Sequence, residues 1–143
     1  MPPPDCPQLA RFLRGELDPN GFTHREHVRM AFELLLRHDF LEALCECSRA
    51  LRAMLARAGR PEAFNLTVTV AFLSLIAERM QGRDWHDFET FARENPDLLG
   101  KGVLARWYAA QRLASAAARR TFLLPDRAWG GAGGPLPDRQ PRL

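Results

Sequence analysis

Residues 61–82, PEAFNLTVTVAFLSLIAERMQG, carry apolar side chains on every face of a helical wheel from Ala63 to Ala77. A helix that is apolar all round has no solvated side, so other elements must enclose it. Thr67-Val68-Thr69-Val70 would suit a strand, but the continuous run to Arg79 is too long for one and no neighbouring stretch reads as its partner. The segment therefore predicts a buried central helix over about 62–81, in an all-α fold without a sheet.

The chain has 143 residues, 46% of them hydrophobic, which suits one domain with one core. The expected architecture is a single bundle of about five to six helices within 5–125. A Gly/Pro-rich tail, 126–143, has too few apolar residues to pack and reads as disordered.

Helix boundaries are written along the chain. Asp5 with Gln8 predicts a capped first helix whose stripe is Leu9, Phe12, Leu13 and Leu17. Asp18-Pro19-Asn20-Gly21 is a turn. Thr23 with Glu26 forms a capping box, and Phe22 stands where a staple residue packs back on the first turn, so a helix begins at His24 and runs to His38. Asp39 predicts the cap of a helix from Phe40 to Ala58, stopped by Gly59-Arg60-Pro61, with Leu41, Leu44, Cys45, Ser48, Leu51 and Leu55 on its buried face. Asp84 predicts the cap of a shorter helix carrying Trp85, Phe88 and Phe91, with His86 on the surface. Asn95-Pro96-Asp97 is a joint and Gly100-Lys101-Gly102 a flexible loop without phosphate-loop spacing. A last helical region starts at Val103, is re-capped at Ser115 and ends before Leu124-Pro125-Asp126.

Three of the four histidines fall on one side of the helix that begins at His24. At about 100° per residue, His24, His27, Val28, Ala31, Leu35 and His38 share an arc, while Arg25, Glu26, Arg29, Glu33 and Arg37 take the opposite, solvated side. His24 and His27 are one turn apart and can address a common object; His38 lies roughly 20 Å further along. The positive end of the helix dipole favours neutral imidazole in the first turn, suited to act as base, donor or ligand. Asn65 and Thr69, one turn apart on the central helix beside Phe72 and Ile76, need partners or a pocket. Arg52 falls inside the buried arc of its helix, where it either snorkels past the rim or brings a cation to an enclosed site.

The remaining features exclude more than they specify. A net charge of +3 with arginines spread over several helices gives no sign of nucleic-acid binding. No segment approaches the roughly 18 apolar residues of a membrane span, so the expectation is a cytoplasmic protein without a membrane partner. Cys6, Cys45 and Cys47 lack CxxC spacing and read as free thiols, Cys45 toward the core. One His-x-x-His pair without further ligands does not make a metal centre, so neither metal nor cofactor is expected unless Glu78 or a partner chain completes one. Ser48, Ser74 and Ser115 lack a nucleophile elbow. The Ala, Leu and Arg richness accords with a GC-rich bacterial genome.

Phe22-Thr23-His24-Arg25-Glu26-His27, the Thr67-Val68-Thr69 segment, Asn95-Pro96-Asp97-Leu98-Leu99 and Phe122-Leu123-Leu124-Pro125-Asp126, in that order, resemble a family of small, uncharacterised bacterial helical proteins. The resemblance spans about Leu9 to Asp126 and implies a compact α fold. It also implies a His-Glu-Thr triplet where this chain has Asn65-Leu66-Thr67, so two polar groups expected opposite His24 and His27 are replaced.

Three functions follow as expectations. One is an enzyme component of bacterial, specialised metabolism, with a pocket for a small anionic molecule in which His24 and His27 are the catalytic candidates and Arg52, Asn65 and Thr69 bind substrate. Another is a non-catalytic subunit of a heteromeric biosynthetic enzyme, such as an elimination or aziridine-forming complex, which the lost triplet favours. The third is a homodimeric structural protein without ligand.

Overall fold

The computed structural model describes residue 3 and residues 5–127. Among the described residues the regular structure is entirely helical, with no strand. Seven α-helices follow one another: α1 Pro7–Leu13, α2 His24–Arg37, α3 Phe40–Arg57, α4 Leu66–Arg79, α5 Phe88–Glu94, α6 Ala110–Leu113 and α7 Ala116–Arg120. Four 3-10 turns, Pro19–Gly21, Pro61–Ala63, Pro96–Leu99 and Lys101–Arg106, punctuate them. The fold is a single all-α domain around one core. The last helical region is re-capped at Ser115, whose hydroxyl accepts the Ala118 N–H at 3.1 Å, which gives the two short helices α6 and α7.

α2 is the most continuously enclosed element, with Met30, Phe32 and Leu34 wholly buried. α3 and α4 pack on one side of it. On the other, Phe32 meets Phe88 and Phe91 of α5 at ring-centroid distances of 5.8 and 4.9 Å. That second contact corrects the simple two-sided wheel. Glu33, assigned to the solvated side, is buried and paired with Arg37, whose guanidinium also donates to the Glu33 carbonyl at 2.9 Å. A buried carboxylate is tolerable here because its counter-charge lies one turn away.

The segment 62–81 is helical over a tighter span. Pro61–Ala63 forms a 3-10 turn, Asn65 is the N-cap of α4, and Met80 is its C-cap. Asn65 Oδ1 accepts the Val68 N–H at 3.0 Å, a cap worth on the order of 1 kcal/mol. Thr67, Leu73, Leu75 and Ile76 are buried, whereas Val68, Thr69, Val70 and Phe72 keep part of their surface.

Other boundaries moved for local reasons. Pro7 occupies the first turn of α1, so Cys6 rather than Asp5 is the N-cap, and Cys6 makes no side-chain cap bond. α5 starts after Asp87 rather than Asp84, because the Asp87 carboxylate accepts both the Thr90 N–H (2.8 Å) and the Thr90 hydroxyl (3.0 Å). Trp85 therefore precedes the helix and still packs on the core, its Nε1 donating to the Met80 carbonyl at 3.2 Å. In α3 the buried stripe is Ala43, Cys47, Ala50, Leu51 and Met54, while Leu41 and Cys45 are exposed. The core side is thus Cys47, not Cys45; of the expected stripe Leu51 is buried, and Leu44 and Leu55 pack partly buried against the core.

The segment after α7 is fixed by side chains from elsewhere. The wholly buried Thr67 hydroxyl donates to the Thr121 carbonyl (2.6 Å) and accepts the Leu123 N–H (3.0 Å). Tyr108 donates to the Leu123 carbonyl at 2.8 Å, and Asp126 accepts the Ala109 N–H at 2.9 Å at the start of α6. Arg127 donates to the Trp107 and Ala105 carbonyls. Asp126 and Arg127, placed by sequence in the tail, thus belong to the folded unit. The rest of that tail, 128–143, lies outside the described residues.

Candidate functional site

A cavity of about 390 Å³ opens between α2, α3 and α4. Four of the five candidate site residues line it: His24 and His27 from α2, Asn65 at the start of α4, and Thr69 one turn on. Its floor is apolar, formed by Val28, Ala31, Leu51, Leu73 and Ile76 with the Cys47 thiol among them.

The capping box of α2 sets the histidines. Thr23 Oγ1 accepts the Glu26 N–H at 3.3 Å, which fixes the first turn. The staple residue Phe22 lands on His27 itself, with ring centroids 4.4 Å apart, and stacks in turn on Phe12 at 5.4 Å.

The two rings have different fates. His24 Nε2 donates to the Leu98 carbonyl at 2.9 Å, and its ring meets Phe72 edge-on at 5.0 Å. Because a carbonyl only accepts, Nε2 must carry the hydrogen. The His27 imidazole makes no hydrogen bond within the described residues; the residue is exposed, and its ring borders the cavity. Desolvation beside the apolar walls, with the charges of His24 and Lys101 adding to it, pushes its pKa down to about 4, so the ring is neutral at pH 7.

Asn65 and Thr69 face the cavity, but their polar atoms are engaged. Asn65 caps α4 through Oδ1 and donates Nδ2 to the Leu113 carbonyl at 2.7 Å; Thr69 donates its hydroxyl to the Asn65 carbonyl at 2.8 Å. Arg52 is exposed, its guanidinium over the Phe64 ring at 4.8 Å. It does not line the cavity, although Phe64 does. The snorkelling alternative describes its position, with the stem covering an aromatic wall.

Sequence reasoning missed Lys101, which lines the cavity at the start of a 3-10 turn. The available signal was compositional: it is the only lysine in the chain. Cys47 was missed as a lining residue. Burial pushes its thiol up to about 12, so it contributes as a small apolar group and not as a nucleophile.

His38 is remote, as its spacing requires. It caps the end of α2 and lines a separate groove with Trp85 and His86. Among the described residues no three His, Cys, Asp or Glu side chains cluster as a metal would need, and no helix is long and apolar enough to cross a membrane.

Chemically, the cavity offers apolar walls, one neutral imidazole with uncommitted nitrogens, and one ammonium. Among the described residues no Asp or Glu lines it, so none of them offers either imidazole a carboxylate there. The fold and the site together define an all-α protein with a small, mostly apolar cavity. No protein family, curated protein or solved structure matched this chain in comparison.

Proposed function

We propose that this chain is a small-molecule-binding component of an enzyme system in bacterial, specialised metabolism, taking an anionic ligand into the cavity beside His24 and His27. The observation that carries the reading is the convergence of three helices on one cavity whose uncommitted polar groups, His27 and Lys101, meet apolar walls. Such a combination is the usual form of a ligand pocket. His27 is the candidate catalytic group, as hydrogen-bond donor or weak base; His24 positions the site from its bond to Leu98.

The experiment is a melting-shift screen of small anionic and neutral compounds on the full chain, on Ala63→Trp and on His27→Gln. Ala63 is exposed and lines the cavity, so tryptophan there blocks access without disturbing the core. Ligands whose stabilisation disappears in both variants support the reading. Stabilisation indifferent to both sinks it.

A second reading, the non-catalytic subunit of a heteromeric enzyme, is favoured by the engagement of Asn65 and Thr69. With those groups bonded internally, nothing in the cavity opposes His27 as an acid. Under this reading a specific enzyme subunit copurifies with the chain, and its activity depends on the chain yet survives His27→Gln.

A further inference from the structure

We infer that the ligand is a monoanion with an apolar body, its head held at the mouth by Lys101 and His27 and its body enclosed by α2, α3 and α4. This rests on the pocket reading above, which names neither the body of the ligand nor the residue that takes its charge.

The argument is one of elimination among polar groups. His24 Nε2 is bonded to Leu98, Asn65 to Val68 and Leu113, and the Thr69 hydroxyl to Asn65. The two side chains left wholly uncommitted are the His27 ring and the Lys101 ammonium. Among the described residues Lys101 is the only Lys, Arg, Asp or Glu side chain lining the cavity. A cationic guest would meet that charge with no carboxylate to offset it. A compact dianion would meet a single cation and would leave the apolar floor uncovered.

The floor fixes the remainder of the guest. Val28, Ala31, Leu51, Leu73 and Ile76 offer no hydrogen bond, so a polar body would be desolvated without partners, whereas a hydrocarbon body gains about four-fold in affinity per buried methylene. At about 390 Å³ the cavity is near the lower end of the roughly 300–1,000 Å³ range of ligand pockets, which points to a small guest. The head group is also pre-positioned. The His24 bond ties the turn containing Leu98 to the start of α2, and Lys101 follows Leu98 by three residues.

The test is calorimetric titration of the full chain with straight-chain carboxylates from butanoate to dodecanoate, with 1-octanol, octylamine and sodium sulfate as comparisons. The acids tighten by roughly four-fold per methylene until the cavity is filled and then level off. Octanoate binds more tightly than 1-octanol. Lys101→Met weakens octanoate by about ten-fold, the scale of one charge-assisted hydrogen bond, and leaves 1-octanol unchanged, while Lys101→Arg retains most of the affinity. Lys101 is exposed, so both variants keep the wild-type melting temperature.

Octanol binding as tightly as octanoate, or an octanoate affinity indifferent to Lys101→Met, overturns the anionic head. Sulfate binding as tightly as octanoate overturns the apolar body. In each case binding that is lost in Ala63→Trp leaves the pocket reading standing. If none of the probes binds, the inference fails, and the broader screen described above decides separately whether the pocket takes another class of ligand.

Discussion

His24 Nε2 donates to the backbone carbonyl of Leu98, 74 residues away, at 2.9 Å, and so ties the start of α2 to the Pro96–Leu99 turn. One member of the histidine pair is therefore structural. His24→Ala leaves that carbonyl without its donor and removes the ring from Phe72, a loss of about 1–3 kcal/mol. His27→Ala forfeits only the contact with Phe22, about 0.5–1.5 kcal/mol. Urea unfolding of the two variants checks the order. Simultaneous replacement of both histidines would confound folding with function, so His27 alone carries the functional test.

Thr67 sets a sharper stability prediction. Thr67→Val keeps the shape but leaves the Thr121 carbonyl and the Leu123 N–H unpaired, at a cost of about 2–4 kcal/mol. Thr67→Ser keeps both bonds and loses one buried methyl group, about 1 kcal/mol. A midpoint lower for serine than for valine in the same denaturant series would contradict this account.

How much was legible in the sequence follows from which interactions are local. Thr23 and Asp39 were read as caps because their partners, the Glu26 and Glu42 N–H groups, lie three residues on, and both helices start where expected. The Asn65 cap was hidden by the apolar run around it, which made the helix look longer than it is. The face of α3 was misread because two stripes fit one wheel and only packing against α1, α2 and α4 selects Cys47 over Cys45. That His24 pairs with His27, and Asn65 with Thr69, was legible from one-turn spacing; that the two pairs line one cavity depends on how α2 and α4 pack. That Asn65 and Thr69 are already bonded was not, since the Leu113 partner lies 48 residues away.

Acid sensitivity is the third prediction. The unfolded His27 imidazole takes a proton near pH 6.5 and the folded one only near 4, so within that window the unfolded state holds more protons. Stability from this group is complete above about pH 6.5 and falls as the pH drops toward 4. The melting temperature of the wild type therefore declines more steeply from pH 7 to pH 4 than that of His27→Gln. Asp97, held below the usual carboxylate range by its hydrogen bonds to Arg79, adds its own loss only at still lower pH.

Thiol reactivity gives the fourth. In the native protein at pH 8, Cys45 reacts promptly with a maleimide, partly covered Cys6 more slowly, and Cys47 last, because it is both buried and held protonated. Mass spectrometry of peptides after timed labelling ranks them; all three react together in denaturant. Rapid native labelling of Cys47 would mean that the cavity floor opens freely.

The Thr67 hydroxyl has a consequence for how the chain comes into being. Its partners lie 54 and 56 residues further along, in the segment that also closes over Tyr108 and caps α6. On a ribosome α4 emerges long before that segment does, and during the interval the most interior polar group of α4 has only water or a transient neighbour to satisfy it. Completion of the fold is thereby deferred until Thr121 to Asp126 have left the exit tunnel.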